Sequence, residues 1–279
     1  MRLGGWYSAS SFDELDGICQ KLDKHGLSVI VAPSSAIEWP NDQCKKYGQR
    51  VRDLNIIIGQ WGMWENLMTE NRELRNQRIK KVQTILTKAD MMGVPCVVTH
   101  VGTRDPSDHS LAPHSWMYTD QCKVEFCNIV RKILDEVQLN TTHYIVKPWP
   151  NTFFFHLNAI REFIDLVDRP HFGVQFDPAS MIDCNSFYKT TDLIHSAIDL
   201  LEDKILSIVL KDIKWDFHHT SIKWDEVPAG DGVMDFDTLI KRISRLPEDI
   251  PCLCEHLSAE KDYAENFRRL HALAGQAGI

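Results

Sequence analysis

Short apolar runs alternate with longer stretches of helical period along the whole chain. Five helical stretches stand out, at residues 11–26, 72–93, 121–137, 157–168 and 260–278. The apolar runs number eight: MRLGGW, LSVIVAP, LNIIIGQWG, CVVTHVG, HYIVKPW, FGVQFD, ILSIVLKD and IPCLCEH. Strands that alternate with amphipathic helices indicate parallel pairing through βαβ crossovers. Eight such units in 279 residues predict an α/β fold, a (β/α)8 TIM barrel, as a single domain over residues 1–279.

Composition and motifs exclude several other classes of protein. No G-x-G-x-x-G follows the first apolar run, which argues against a dinucleotide-binding fold. The net charge is −8 with no block of Lys or Arg, so nucleic acid is not an expected partner. We see no signal-peptide pattern and no apolar run long enough to span a membrane. Several of the 8 cysteines lie inside apolar runs, as buried free thiols do, which predicts a cytoplasmic protein.

Three apolar runs end in a charged residue, where a barrel places its active site. Lys147 ends HYIVK, Asp177 ends GVQFD and Glu255 ends IPCLCE. Because barrel active sites lie at the carboxyl ends of the strands, we expect these three side chains to converge. Two carboxylates in a partly dry pocket repel each other and need a cation, either a metal ion or a lysine.

These strand ends carry a resemblance to a known family. The specific segments are KPWPN, GVQFDP, VLKDI, VPAGDGVMDF and CLCEHL. On these segments the chain resembles the xylose-isomerase-like superfamily of TIM barrels, the sugar isomerases and epimerases. The resemblance implies a divalent metal (Mn, Mg, Co or Zn) held by Glu, Asp, His and Glu at strands five to eight. It also implies a small polyhydroxy carbonyl substrate, such as a keto-sugar, and allows a homo-oligomer.

Two of the four implied ligand positions differ in this chain. Asp177 and Glu255 stand where two ligands belong, but Lys147 replaces the first Glu and Val209 replaces the His. An ammonium group has no lone pair for a metal. We therefore predict that no cofactor is bound and that Lys147 faces Asp177 and Glu255 in place of the ion. If a metal is retained, Asp177 and Glu255 are its expected ligands.

Further candidates lie at or just past the strand ends. Lys211 belongs to the Lys-Asp pair that the resemblance places near the substrate, so with Lys147, Asp177 and Glu255 it completes the expected catalytic set. Aromatic faces stack on sugar rings and line apolar pockets. The expected substrate-binding residues are Trp6, Trp61, His100, Trp149 and Trp215.

Three interpretations of function remain open from the sequence. In the first, the protein is a sugar isomerase, epimerase or related lyase that works without a metal, with Lys147 as acid/base, electrophile or Schiff-base amine. In the second, it is a non-catalytic sugar-binding protein or a subunit of a complex. In the third, a metal-dependent isomerase or keto-sugar lyase keeps a metal with substitute ligands from loops, drawn from His109, His114, His218 and His219.

Overall fold

The fold is a closed parallel barrel, in a computed structural model that describes residues 1–257 and 259–278. Within these residues eight parallel strands close into a barrel. This arrangement confirms the predicted (β/α)8 TIM barrel. The barrel strands are β1 (Arg2–Gly4), β2 (Val29–Val31), β3 (Ile57–Gly62), β4 (Cys96–Thr99), β5 (His143–Val146), β6 (Phe172–Phe176), β7 (Ile205–Val209) and β10 (Pro251–Leu253). Around the barrel they follow the order β1-β10-β7-β6-β5-β4-β3-β2.

Eight α-helices, counted over the described part of the chain, surround the barrel. Five of them match the helical stretches expected from the sequence. Local capping explains the ends of the helix Arg72–Met92: Asn71 accepts hydrogen bonds from its first turn, and the left-handed Gly93 ends it. The helices are α1 (Phe12–Lys24), α2 (Asn41–Asp53), α3 (Arg72–Met92), α4 (Asp120–Asp135), α5 (Leu157–Val167), α6 (Thr190–Leu201), α7 (Phe236–Ile243) and α8 (Glu260–Gln276).

The core has two parts, one inside the barrel and one between the barrel and the helices. Inside, aliphatic side chains of β2 and β10 pack together, and a polar layer joins Gln60, Gln175 and Ser207 by hydrogen bonds across the barrel. The larger part lies outside the strands, where the helices cover their outward-facing side chains. The interior is therefore filled, and a ligand can approach only at an end of the barrel.

An antiparallel hairpin interrupts the last crossover, between β7 and α7. It pairs β8 (Asp212–Trp215) with β9 (Trp224–Val227). Behind it, the Asp212 carboxylate accepts hydrogen bonds of 2.9–3.0 Å from the N–H groups of Gly230, Gly232 and Met234. Asp212 therefore folds the glycine loop back against the hairpin. Its oxygens are engaged by the backbone, so we assign it a structural role.

None of the helices in residues 1–257 and 259–278 is both long and apolar enough to cross a membrane.

Two helical glycines provide a matched test of the packing. A methyl group at Gly48 of α2 would overlap the backbone carbonyl of Met92 at the end of α3, whereas one at Gly17 of α1 meets nothing within 4 Å. We predict that Gly48→Ala lowers the free energy of unfolding by about 1–3 kcal/mol, because backbone cannot move aside easily. Gly17→Ala should raise it by about 0.5–1 kcal/mol. Urea unfolding measures both, and a stabilising Gly48→Ala would contradict the helix contact.

Candidate functional site

Four charged side chains meet at the carboxyl ends of four consecutive barrel strands. Lys147 follows β5, Asp177 follows β6, Lys211 follows β7 and Glu255 follows β10. Because β5, β6, β7 and β10 are neighbours in the barrel, their carboxyl ends lie side by side. All four residues are at most 5% exposed. The structure thus brings together the four residues that the sequence analysis assigned to catalysis, in a setting where each charge needs a partner.

Lys147 lies between the two carboxylates. Its Nζ donates a hydrogen bond to Oε1 of Glu255 and lies 3.1 Å from Oδ2 of Asp177. Removal of either carboxylate would leave the ammonium group with half of its charge partners here. The lysine at the end of HYIVK therefore faces the two acidic strand ends.

Lys211 is the second cation of the cluster and touches more groups. Its Nζ is 3.1 Å from Oδ2 of Asp177, 3.2 Å from Oε1 of Glu226 and 3.8 Å from Oε1 of Glu255. It also donates to Oγ of Ser180 at 3.2 Å. Lys211 thus joins the buried pair to Glu226 on the hairpin.

Asp177 is the most buried group of the cluster, with no exposed surface. Ser180 donates to it twice, from Oγ to Oδ2 at 2.7 Å and from its backbone N–H to Oδ1 at 3.1 Å. Burial by itself would raise the pKa of this carboxyl, but Lys211, Lys147 and Ser180 outweigh burial and hold the pKa below its ordinary value. Asp177 is therefore a carboxylate at neutral pH.

The same contacts keep Lys211 protonated. Burial would lower the pKa of its amine, but Asp177, Glu255 and Glu226 together raise that pKa above its ordinary value. A nucleophilic or Schiff-base amine must lose its proton. Lys211 is thus suited to donate hydrogen bonds to a substrate oxygen, not to attack a carbonyl carbon.

Aromatic rings form a wall on one side of the cluster. The Nζ of Lys211 is 5.9 Å from the ring centre of Trp149, which lies 5.8 Å from the ring of His100. The wall continues from His100 to Trp64 at 4.8 Å and from Trp64 to Trp6 at 6.4 Å. We call these four rings the aromatic wall. Burial, assisted by the nearby Lys147, lowers the pKa of His100 to about 3, so its imidazole is neutral at neutral pH.

Two of the expected substrate-binding tryptophans lie elsewhere. Trp61 is 3% exposed and packs in the core between barrel and helices, because it is the neighbouring Gln60 that points into the barrel. Trp215 packs on the hairpin side, 5.2 Å from the ring of Phe187 and 6.1 Å from that of Trp224. Of the expected residues, Trp149 and His100 lie nearest the cluster, and Trp6 is the outer end of the aromatic wall.

The structure adds two residues that the sequence analysis did not assign to the site. Nδ1 of His256 is 2.9 Å from the Glu226 carboxylate, whose other contact is Lys211. His256 has a φ of 63°, a left-handed backbone that few residues other than glycine adopt. The hydrogen bond to Glu226 raises the pKa of His256 above its ordinary value, against the effect of partial burial. The sequence analysis did not identify Glu226, because the hairpin that carries it has no apolar pattern that would predict a strand.

The donor set does not fit the four-ligand metal centre that the family resemblance implies. Asp177 and Glu255 share their oxygens with the ammonium groups of Lys147 and Lys211, and Val209 has no donor atom. Among residues 1–257 and 259–278, no group of three or more His, Cys, Asp or Glu side chains is arranged to hold a metal ion. The loop histidines expected as substitute ligands belong to this described part of the chain and form no such group. The side chains at this site therefore do not fit the metal centre.

The fold and the strand-end segments are matched by a known family. Residues 19–273 match the family model described as xylose isomerase-like TIM barrel. The chain belongs to this family, as its resemblance to the superfamily predicted. No curated protein matches the chain at the sequence level.

Solved structures with the same fold include a dehydratase and several sugar epimerases. A probable 3-DHS dehydratase from Bacillus anthracis has a TM-score of 0.70 at 15% identity, over 95% of this chain and 98% of that one. A D-psicose 3-epimerase from Clostridium cellulolyticum H10, solved with D-tagatose, has a TM-score of 0.72 at 10% identity over 99% of both chains. A 3-keto-D-glucoside 4-epimerase from E. coli has a TM-score of 0.67 at 14% identity, also over 99% of both. At such identities the likeness establishes the fold.

Removal of the central cation should destabilise the protein strongly. We predict that Lys147→Ala lowers the free energy of unfolding by about 3–5 kcal/mol at neutral pH, because Asp177 and Glu255 lose a buried partner. The control is Lys46→Ala, which removes an exposed lysine paired with Asp42 and should change stability by less than about 0.5 kcal/mol. Equal stability of Lys147→Ala and wild type in urea would contradict the buried cluster.

The His256–Glu226 pair should make stability depend on pH in a defined direction. Because the folded pKa of His256 is raised, the pair's contribution is fully present below the unfolded pKa of 6.5 and is lost as pH rises through the folded value. His256 is half-exposed, so we expect less than about 1 kcal/mol. NMR titration should give a lower His256 pKa in Glu226→Gln than in wild type. An unchanged pKa would show that the pair does not form in solution.

Proposed function

We propose that this protein takes a small polyhydroxy carbonyl compound, such as a keto-sugar, at the carboxyl end of the barrel and that Lys147 serves there in place of a divalent metal. The observation that carries the proposal is the position of Lys147 Nζ between Glu255 and Asp177. An ammonium group in this position supplies positive charge to both carboxylates. It also supplies N–H donors to an oxygen that approaches the cluster.

The buried cluster offers complementary groups to such a ligand. The ammonium groups of Lys147 and Lys211 donate to a carbonyl oxygen and draw electron density from it, and protein dipoles act strongly in a site with little water. The partly exposed carboxylate of Glu226 accepts from a sugar hydroxyl group, and the aromatic wall provides apolar surface beside Lys211. Each part of a keto-sugar thus meets a group of matching character.

Isomerisation or epimerisation also needs a base that removes a proton from the carbon next to the carbonyl. Asp177 is poorly suited to this task, because two lysines and Ser180 hold it as a weakly basic carboxylate. This observation favours a second candidate function, in which the protein binds the sugar without turnover. Both candidate functions include polarisation of a bound carbonyl group. Only the isomerase or epimerase exchanges the proton on the carbon next to that carbonyl.

Binding of keto-sugars should be independent of metal and dependent on Lys147. We predict that D-fructose or methyl 3-keto-β-D-glucopyranoside binds with affinity equal within about twofold in EDTA and in added Mn²⁺. Lys147→Met should weaken binding by about tenfold or more, because it removes a charged hydrogen-bond donor. Lys46→Met serves as the control. Calorimetric titration measures all three proteins, and circular dichroism checks their folding.

Two results would contradict the proposal: binding that requires a metal, or a folded Lys147→Met variant that binds as wild type does. The same samples in D2O separate the two candidate functions. Deuterium entering the sugar next to its carbonyl, followed by NMR, indicates an isomerase or epimerase. Binding without exchange indicates a non-catalytic sugar-binding protein.

A further inference from the structure

A cavity lies between the loop after β1 and the start of α8. It has a volume of about 280 Å³ and is lined by Trp6, Tyr7, Leu257, Ala259, Glu260 and Tyr263. We call it the Trp6 cavity. None of the four buried charged residues lines it. Its walls are mainly aromatic and aliphatic, with two phenol hydroxyls and one carboxylate among them.

The Trp6 cavity adjoins the cluster on two sides. On one side Trp6 is the outer member of the aromatic wall, which leads through Trp64, His100 and Trp149 to Lys211. On the other side, β1 pairs with β10 next to Glu255: Gly4 lies opposite Leu253, and the N–H of Cys254 donates to the carbonyl oxygen of Gly4. Trp6, two residues beyond Gly4, and Leu257, two residues beyond Glu255, both line the cavity. A ligand held by the cluster can therefore extend into the cavity without leaving the protein surface.

The cavity has the size and character for one ring. An apolar cavity of about 150 Å³ is enough to hold benzene. Trp6, which lines the cavity, is 38% exposed, so its large ring remains partly open to water. A further apolar ring placed against it would bury this surface. Glu260 makes an anionic group unfavourable there.

We propose that the Trp6 cavity is a second subsite for an uncharged aromatic or apolar group attached to the sugar, so that the ligand class is a glycoside and not a free monosaccharide. This inference rests on the proposed function, in which the sugar part occupies the cluster. It assigns the two halves of the ligand to separate places. The cluster holds the polyhydroxy carbonyl ring, and the cavity holds its substituent.

A pair of probes that differ only in the substituent tests the subsite. Methyl and phenyl 3-keto-β-D-glucopyranoside share one sugar and differ in one ring, and phenol alone represents that ring. Ala259→Phe places a bulky side chain in the cavity, away from the four charged residues. The control is Val124→Phe, the same enlargement at a position on α4 that is 53% exposed. Calorimetry gives the affinities for the glycosides, and ligand-observed NMR detects phenol.

We expect wild type and Val124→Phe to bind the phenyl compound about tenfold more tightly than the methyl compound. In Ala259→Phe the difference should fall below about twofold, with the affinity for the methyl compound unchanged. Equal affinities in wild type would overturn the subsite and leave the proposed function intact. A phenyl preference that survives in Ala259→Phe would also overturn it.

Phenol separates failure of the subsite from failure of the proposed function. If neither glycoside binds, but phenol binds wild type and not Ala259→Phe, the cavity stands as an aromatic site and the sugar function fails. If neither glycoside binds and phenol is not bound either, both proposals are overturned.

Discussion

The buried Asp177 carboxylate is the constraint on which the rest of the site depends. A carboxylate without access to water is strongly destabilising unless cations and hydrogen-bond donors surround it. Here Lys147 and Lys211 each lie 3.1 Å from its Oδ2, and Ser180 supplies two donors. Two cations in turn require a second anion, which Glu255 provides. Each of the four buried charges is therefore stabilised by the oppositely charged members of the cluster.

Barrel geometry makes this arrangement possible. Consecutive parallel strands place their carboxyl ends next to one another, so residues far apart in the chain, such as Lys147 and Glu255, share one small volume. The hairpin β8–β9 places Glu226 in contact with Lys211, on the outer side of the cluster. His256 in turn contacts Glu226. Charge thus extends from a dry interior towards the surface, while the aromatic wall borders the cluster on another side.

The sequence predicted the fold, Lys147, Asp177 and Glu255 from strong local patterns, and the family resemblance added Lys211. Eight apolar runs alternate with helices, and a charge that ends an apolar run marks a strand end. It did not predict Glu226, because β9 is a short, largely exposed strand, nor the left-handed turn at His256. It placed Trp61 at the site, although successive residues of a strand face opposite sides and Trp61 faces the helices. Tertiary packing determines the hairpin, the turn and the side of the strand that Trp61 faces, and a local sequence pattern does not contain that information.

We propose that a lysine ammonium group replaces a divalent metal in this member of the xylose isomerase-like family. The most direct measurement is the content of Mn, Co, Zn, Ni and Fe per chain in protein purified without a chelator. Our account predicts each metal well below one equivalent, in protein that is folded and monodisperse. A value close to one metal per chain would contradict it. That result would indicate a metal-dependent isomerase whose ligands differ from the present arrangement of Lys147, Asp177 and Glu255.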